Sequence, residues 1–197
     1  NISDREWNFV VGKDAKIFEK LYSLDSKLGD IADIFVGLQT SADKVFILDL
    51  IEEKSDCLKL KSKALNEEWE FEKGLLFPLV SGTDVNRYKQ LPSRQYILFP
   101  YMVDCHTVKL IDFNKLLENY PKTTAYLLKN KNLLEGREKG KAKGSGWYGY
   151  IYLKNMSKQS IEKICVPRLV ESLYAAYDAD GSHFLDNVDV GGIILKS

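Results

Sequence analysis

Apolar residues recur every three or four positions in two parts of the chain, and this spacing predicts helices there. The first part is residues 14–24, where Asp14 is placed to cap the N-terminus of the helix. The second begins at Phe113, and Pro121 then opens a further helix that continues to about residue 134. The apolar faces comprise Ile17, Phe18, Leu21, Tyr22, Leu24, Phe113, Leu116, Leu117 and Tyr120. A short helix is also predicted for residues 157–164.

Runs of β-branched and aromatic residues predict strands in the rest of the chain. The predicted strands are residues 31–38, 45–50, 57–61, 96–99, 164–170, 173–177 and 188–196, and residues 150–153 also look extended. Turns are predicted at Phe77 and Pro78, at residues 81–84, and at residues 180–181, where Asp-Gly suits a hairpin. Because helices and strands mix without regular βαβ alternation, the pattern favours an α+β domain.

The composition excludes several classes of protein. The 197 residues include 28 Lys+Arg and 28 Asp+Glu, so the net charge is zero and the chain is neither a histone-like DNA binder nor an acidic tail. An aromatic content of 12% excludes a disordered chain. No apolar run approaches the roughly 20 residues of a membrane span, so no membrane partner is expected. Three widely spaced cysteines (Cys57, Cys105, Cys165) predict free thiols in a reducing cytoplasm. Since Asn1 is not Met and no basic leader follows, we expect a fragment of a longer chain.

The positive charge is concentrated in one segment. Residues 129–143 contain six basic and two acidic residues, a net charge of +4, so the remainder of the chain carries −4. Trp147 and Tyr148 follow this segment directly. Basic side chains bind nucleic acid by releasing counterions from phosphates, and nearby aromatic groups can approach bases or sugars. The alternative is a solvated loop beside a core aromatic cluster, and spacing leaves both interpretations open.

Motifs for catalysis are weak or missing. Residues 144–149 match GxGxxG, but they follow a lysine-rich loop rather than a strand. His106 and His183 are too few for a usual zinc site or triad. Residues 52–54 and 25–27 each supply only the last part of a nuclease-like carboxylate-x-Lys arrangement. None of the five prolines are adjacent, so the Asn-Pro-Pro-aromatic motif of amine methylation is absent. We therefore expect this chain to be non-catalytic; a stand-alone nuclease or a protein- or ligand-binding module is the alternative.

Several blocks, in order, carry a resemblance to a known family. Residues 28–46 read LGDIADIFVGLQTSADKVF and residues 78–88 read PLVSGTDVNRY, and further blocks lie at residues 96–101, 120–121, 126–127, 134–137, 147–148 and 163–168. Together they resemble the TaqI-like C-terminal specificity domain of adenine-specific DNA methyltransferases and fused restriction–modification enzymes. The blocks cover nearly the whole chain. Ser41 departs from the pattern, because the family usually has Gly after Thr40, and a serine has less backbone freedom.

The resemblance implies that residues 1–197 form a single DNA target recognition domain with a twisted, largely antiparallel sheet. In such enzymes a separate N-terminal domain binds S-adenosylmethionine and carries the Asn-Pro-Pro-aromatic motif. The recognition domain grips duplex DNA and reads base edges, largely in the major groove, while the target adenine is flipped out. No cofactor or metal is then expected in this chain, and its partners are double-stranded DNA and the N-terminal methyltransferase domain.

The resemblance and the charge pattern together nominate DNA-contacting residues. Thr40 and Ser41 are expected to touch phosphates or bases, and Lys44 a phosphate. The remaining candidates are Arg87, Arg137, Lys139, Lys141, Lys143, Trp147 and Tyr148. The alternatives are a solvated Lys44, an ion pair between Arg87 and Asp84, and core packing of the two aromatic residues. Gly37, Gly82 and Pro167 are expected to be structural.

Overall fold

The computed structural model describes Gly12, residues 15–104 and residues 107–196. The predicted N-cap Asp14 and the pair Cys105 and His106 lie outside the described residues. The α-helices are α1 (Ala15–Tyr22), α2 (Leu28–Ile31), α3 (Asp43–Phe46), α4 (Phe113–Asn119), α5 (Pro121–Lys129) and α6 (Lys131–Glu135). The strands are β1 (Ala32–Val36), β2 (Ile47–Glu53), β3 (Cys57–Ser62), β4 (Glu67–Glu72), β5 (Leu76–Val80), β6 (Gln95–Leu98), β7 (Tyr101–Asp104), β8 (Thr107–Leu110), β9 (Lys163–Pro167), β10 (Ala176–Asp178), β11 (Phe184–Leu185) and β12 (Val190–Leu195).

The chain divides into two compact units. Of the described residues, those up to 33 and residues 195–196 form the first unit, which includes α1 and α2, and those from 34 to 194 form the second. In the first unit the Lys27 ammonium donates to the carbonyls of Leu21, Tyr22 and Leu24 at 2.8–2.9 Å, which closes the C-terminal end of α1. The prediction of a single domain over residues 1–197 stays a prediction.

Two sheets and a separate hairpin organise the strands. The larger sheet has the order β11-β5-β6-β2-β3-β4, and the smaller has the order β1-β12-β9-β10. The registered pairs are antiparallel except for β11 and β5, which run parallel. Strands β7 and β8 form a two-stranded hairpin. The mixture of helices with antiparallel open sheets confirms the predicted α+β class.

Aromatic side chains fill the main core of the second unit. Phe46, Phe71 and Tyr126 are fully buried in it, and Tyr126 lies edge-on to Phe71 with ring centroids 4.9 Å apart. The Tyr126 hydroxyl donates to the Val45 carbonyl at 2.8 Å, so this buried polar group is satisfied. Burial raises the pKa of Tyr126 to about 12. Tyr126 thereby fixes helix α5 against the large sheet.

Some predicted boundaries were wrong for identifiable reasons. The predicted strand 45–50 begins only at Ile47, because Val45 and Phe46 lie in the short helix α3 and turn their side chains into the core. The predicted helix 121–134 is broken at Asn130, whose backbone has φ −95° and ψ 6° and separates α5 from α6. Pro78 lies inside β5 rather than in a turn. Strand β11 pairs with β5 only from Leu79 onwards, so the missing amide of Pro78 is tolerated.

The C-terminal part also differs from its prediction. The helical turn Met156–Lys158 overlaps only the first two residues of the predicted helix 157–164, and the chain enters β9 at Lys163. Asp180 and Gly181 do not close a hairpin, because β10 pairs with β9 whereas β11 pairs with β5 of the other sheet. Residues 150–153 are irregular rather than a strand. Strands β4, β5, β7, β8 and β11 were not predicted.

Candidate nucleic-acid interface

Arg137 joins the two segments that the sequence nominated separately. The Arg137 guanidinium donates to five acceptors: the carbonyls of Leu134, Thr40, Trp147 and Gly149 and the Ser41 hydroxyl, at 2.7–3.3 Å. Its carbon Cζ also lies 5.7 Å from the centroid of the Phe46 ring. Burial lowers the pKa of Arg137. This side chain is 7% exposed and satisfied inside the protein, so the expected phosphate contact is corrected to a structural one.

The loop after β1 is held in a fixed shape. The Thr40 hydroxyl donates to Asp43 Oδ1 at 2.5 Å and accepts from the Ala42 amide at 3.1 Å, which organises the start of α3. Thr40 is fully buried, so the expected DNA contact by its side chain is corrected to this internal role. Ser41 is half-buried and has φ 59°, the left-handed conformation that glycine adopts easily. Serine at position 41 therefore has a conformational cost that glycine would not have.

Gly37 and Gly82 have the structural roles that were predicted for them. A Cβ atom on Gly37 would lie 2.1 Å from the Leu185 carbonyl oxygen, which excludes any side chain there. The bond from the Leu38 amide to the same carbonyl explains why the two backbones approach so closely. A Cβ atom on Gly82 would lie 3.0 Å from the Asp189 carboxyl group. Pro167 is buried at the end of β9.

The basic loop, residues 138–146, presents lysines to solvent. Glu138, Lys139 and Gly140 have consecutive positive φ values of 48°, 57° and 89°, so the chain leaves α6 in a tight left-handed turn. Lys139, Lys141 and Lys143 are exposed. A shallow cavity of about 250 Å³ lies beside them and is lined by Arg137, Lys141, Ala142, Lys143, Gly146, Gly149, Tyr150 and Ile151. Lysines on an open loop of this kind can pair with phosphates without desolvating a core.

Lys44 adds a further exposed cation in α3, directly after the loop that follows β1. Its side chain is exposed in α3, and its carbonyl accepts a hydrogen bond from the Ala64 amide at 3.0 Å, which holds the backbone in place. The bonds from Arg137 tie the preceding residues Thr40 and Ser41 to the segment that follows the basic loop. Arg137 therefore holds both the residues that precede Lys44 and the end of the basic loop.

The aromatic pair after the basic loop lies in the core. Trp147 is 6% exposed and Tyr148 is 3% exposed, and both contact Phe113 with centroid distances of 5.8 and 5.3 Å. The Tyr148 hydroxyl donates to the Ile111 carbonyl at 2.7 Å. The expected role of these rings on a DNA face is therefore corrected to core packing, the alternative given above. Their backbone still anchors the end of the basic loop, because the Trp147 carbonyl is one of the acceptors of Arg137.

Arg87 bonds to the loop before β10 rather than to Asp84. It is exposed, and its Nη2 atom donates to the Leu173 carbonyl at 2.7 Å. The alternative partner, Asp84, instead accepts hydrogen bonds from the amide and the hydroxyl of Ser81 at 2.9 and 2.8 Å. Arg87 therefore joins the loop after β5 to the loop before β10.

The weak catalytic motifs do not assemble into sites. Lys54 donates to Glu70 Oε1 at 2.5 Å, and Lys27 donates to backbone carbonyls, so neither lysine stands free beside its carboxylate neighbour. Residues 144–149 form successive turns, with the Trp147 amide bonded to the Gly144 carbonyl. They do not open a helix, so they lack the setting of a dinucleotide fingerprint.

A buried ionic cluster was missed by the sequence analysis. The Lys163 ammonium contacts Asp178 Oδ2 at 2.5 Å with both side chains fully buried, and His183 Nδ1 lies 3.2 Å from Asp178 Oδ1. Burial alone would raise the pKa of Asp178, but hydrogen bonds from His183 and Lys163 outweigh it and hold that pKa at about 2. Asp178, Asp180 and His183 also bring possible metal-ligating atoms within 4.8 Å of one another. Because the Lys163 ammonium already occupies Asp178, the cluster fits a structural ion pair better than a cation site.

Comparison with known proteins shows similarity to a curated methyltransferase. No protein-family model matches the chain. The chain is similar to the type II methyltransferase M.BanIII of Aneurinibacillus aneurinilyticus, with 25% identity over 181 residues. The match covers 91% of this chain but 27% of the relative, so the chain spans about a quarter of that protein's length. This similarity is consistent with a fragment of a methyltransferase-related protein. No helix among the described residues is long and apolar enough to cross a membrane.

Proposed function

We propose that the chain is a non-catalytic recognition domain that binds duplex DNA sequence-specifically and positions it for an N6-adenine methyltransferase domain. That domain, and the S-adenosylmethionine that it would bind, belong to a part of the parent enzyme outside this sequence. A nuclease in the same parent is a compatible addition. We place the enzyme in the bacterial or archaeal cytoplasm, where its DNA substrate lies.

One observation carries the proposal: the lysines of the basic loop point to solvent from a loop that is anchored in the core. Lys139, Lys141 and Lys143 are exposed, whereas Arg137, Trp147 and Tyr148 hold the ends of the loop inside the protein. A mobile cationic tail would bind any anion, but an anchored loop presents its charges at fixed positions. Fixed positions are what phosphate contacts need when they set the register of a recognition domain on DNA.

The similarity to a methyltransferase is a second, independent observation that supports the same proposal. The matched region covers most of this chain and about a quarter of the relative. The catalytic motif for amine methylation is absent from the 197 residues, since no two prolines are adjacent. A part of a methyltransferase that lacks this motif is most simply a part that handles the substrate.

The test is duplex binding by the 197-residue chain, measured by fluorescence anisotropy as a function of salt. We expect the binding constant to fall steeply between about 50 and 200 mM salt. The variant Lys139→Ala/Lys141→Ala/Lys143→Ala removes three phosphate partners, so its affinity should fall at least tenfold or so, and its salt slope should become shallower by about one per lysine.

The matched control is Lys54→Ala/Lys59→Ala/Lys122→Ala. It removes the same formal charge, but each of these lysines is already paired with Glu68 or Glu70 of β4. The control should therefore keep the salt slope of the unmodified chain. The proposed interface is wrong if the two triple variants lose affinity equally, and the proposed function is wrong if the unmodified chain binds no duplex at low salt.

A further inference from the structure

Three connecting segments of the second unit are joined into one surface. The Gly82 amide donates to Asp189 Oδ1 at 2.8 Å, and the Arg168 amide donates to the Asp189 carbonyl at 2.8 Å. Arg87 Nη2 donates to the Leu173 carbonyl at 2.7 Å. We call this the Tyr88 surface and define it by residues 86–89, 168–173 and 187–189.

The Tyr88 surface exposes large apolar side chains almost completely. Tyr88 is 97% exposed, Leu169 is 92% exposed and Leu173 is 81% exposed. Single exposed apolar residues are normal, but such residues on neighbouring loops are typical of a binding surface. Exposure on this scale leaves each side chain free to pack against a partner.

The backbone at Tyr88 supports a functional interpretation. Tyr88 has φ 61°, a left-handed conformation that is unfavourable for a bulky residue. A glycine or an asparagine would adopt it at a smaller cost. The chain therefore keeps an aromatic ring in solvent at a position where the local backbone disfavours one, and such strain is commonest at functional sites.

The charged residues of this surface indicate what it binds. Arg87, Lys89 and Arg168 are exposed and basic. The acidic residues of the surface are Glu171 and Asp189, and the Asp189 carboxylate already accepts a hydrogen bond from the Gly82 amide. Arg168 is also positioned by bonds from Nη1 to the carbonyls of Asn187 and Val188, both at 3.2 Å. Such a surface suits DNA in which a base step is opened. The apolar side chains can pack against the unstacked bases, and the basic side chains can contact the phosphates beside them.

We propose that the Tyr88 surface is a second DNA contact, at which Tyr88, Leu169 and Leu173 pack against bases that are unstacked in a distorted duplex. Arg87, Lys89 and Arg168 neutralise the phosphates beside them. This inference rests on the proposed function, because an enzyme that methylates a base must first take that base out of the stack. Apolar side chains at the opened step replace part of the lost stacking.

The experiment compares two duplexes of one sequence, one intact and one with a single abasic site, in binding to the 197-residue chain. An abasic site already lacks one stacked base, so we expect the chain to bind it about tenfold more tightly than the intact duplex. The variant Tyr88→Ala/Leu169→Ala/Leu173→Ala should lose this preference and keep its salt slope. Tyr88→Phe retains the ring and should keep the preference.

A control variant, Leu117→Ala/Leu128→Ala, removes exposed apolar side chains from α4 and α5 and should behave like the unmodified chain. Every substituted residue is at least 46% exposed, so melting temperatures should match and a folding defect is readily distinguished. The inference is overturned if the chain has no preference for the abasic duplex, or if the Tyr88 triple variant retains it. If the basic-loop variant loses affinity in those same cases, the proposed function stands and this inference alone fails. If no duplex is bound at all, both fail.

Discussion

Single residues in this chain often serve the fold where their chemistry suggested a ligand. Arg137 was selected as a phosphate contact because it lies in a basic segment, yet its donors are taken up by five internal acceptors. A guanidinium is suited to this role, since its planar fork reaches several carbonyls at once. A basic residue in a sequence can therefore be proposed as a DNA contact only once it is known to lie on the surface rather than in the core.

Ser41 gives a residue-scale prediction. Its left-handed backbone costs roughly 1 kcal/mol or more relative to glycine, whereas its hydroxyl donates to the Thr40 carbonyl and accepts from Arg137. Ser41→Gly loses the hydroxyl but relieves the backbone, while Ser41→Ala loses the hydroxyl and keeps the strain. We expect Ser41→Gly to be more stable than Ser41→Ala by about 1 kcal/mol in chemical unfolding. Equal stability, or a more stable alanine variant, would show that the loop changes shape when the hydroxyl is removed.

At the scale of elements, strand β4 and helix α5 are joined through one carboxylate. Glu72 accepts hydrogen bonds from the amides of Lys122 and Thr123 at 2.8 and 3.0 Å and from the Thr123 hydroxyl at 2.7 Å. It thus caps the N-terminus of α5 from a distant part of the sequence. Partial burial would raise the pKa of Glu72, but these hydrogen bonds outweigh burial and lower it.

We expect Glu72→Ala to lower the free energy of unfolding by about 1–2 kcal/mol, because two helix amides lose their acceptor. Urea unfolding measures the change. Glu68→Ala, on the same strand, removes an exposed ion pair with Lys59 and should leave the free energy of unfolding nearly unchanged. A loss no larger than that of the Glu68 variant would mean that water replaces the carboxylate without cost.

The buried pair that links β9 and β10 predicts a dependence on acid. The pKa of Asp178 is about 2 in the folded protein, below its ordinary value of 3.8, so the unfolded chain binds its proton first as the pH falls. The stabilisation from Asp178 is complete above about pH 4 and is lost as the pH falls towards 2. Unfolding free energies measured across this window should decline more steeply for the unmodified chain than for Lys163→Met/Asp178→Asn, which lacks both charges. Parallel pH profiles would remove Asp178 from the acid response.

The sequence predicts an element well where neighbouring residues alone determine it. The strand 57–61 was found because apolar and polar residues alternate in β3, and Pro121 marked the first residue of α5 correctly. Strand β4 was missed because its sequence EEWEFE is mostly charged. Its glutamates are paired with lysines outside the strand, Lys59 of β3 and Lys122 of α5. The short helix α3 was missed because Val45 and Phe46 favour strands and core packing overrides that preference.

The candidate interface could also be predicted only in part from the sequence. The basic segment could be found from composition, since six of its fifteen residues are basic. That Lys139, Lys141 and Lys143 face solvent while Arg137 does not depends on long-range contacts with Thr40 and Trp147. Burial of the Lys163 and Asp178 pair likewise depends on the pairing of β9 with β10. Contacts of this kind have no signature in a single sequence.

At the scale of the whole molecule, a net charge of zero is compatible with binding DNA. Glutamates of β4 pair with Lys54, Lys59 and Lys122, which neutralises that part of the large sheet. The lysines of the basic loop stay exposed at a different place in the fold. A recognition domain with this charge distribution should show little affinity for anions in general and should depend on a fixed geometry for its selectivity.

The central claim is that this chain recognises a DNA sequence, and selection from a pool of randomised duplexes tests it most directly. We predict that the 197-residue chain enriches one short, discrete motif, that Lys139→Ala/Lys141→Ala/Lys143→Ala loses the enrichment, and that Lys54→Ala/Lys59→Ala/Lys122→Ala retains it. If the unmodified chain returns the pool without an enriched motif, the chain is not a sequence-recognition domain.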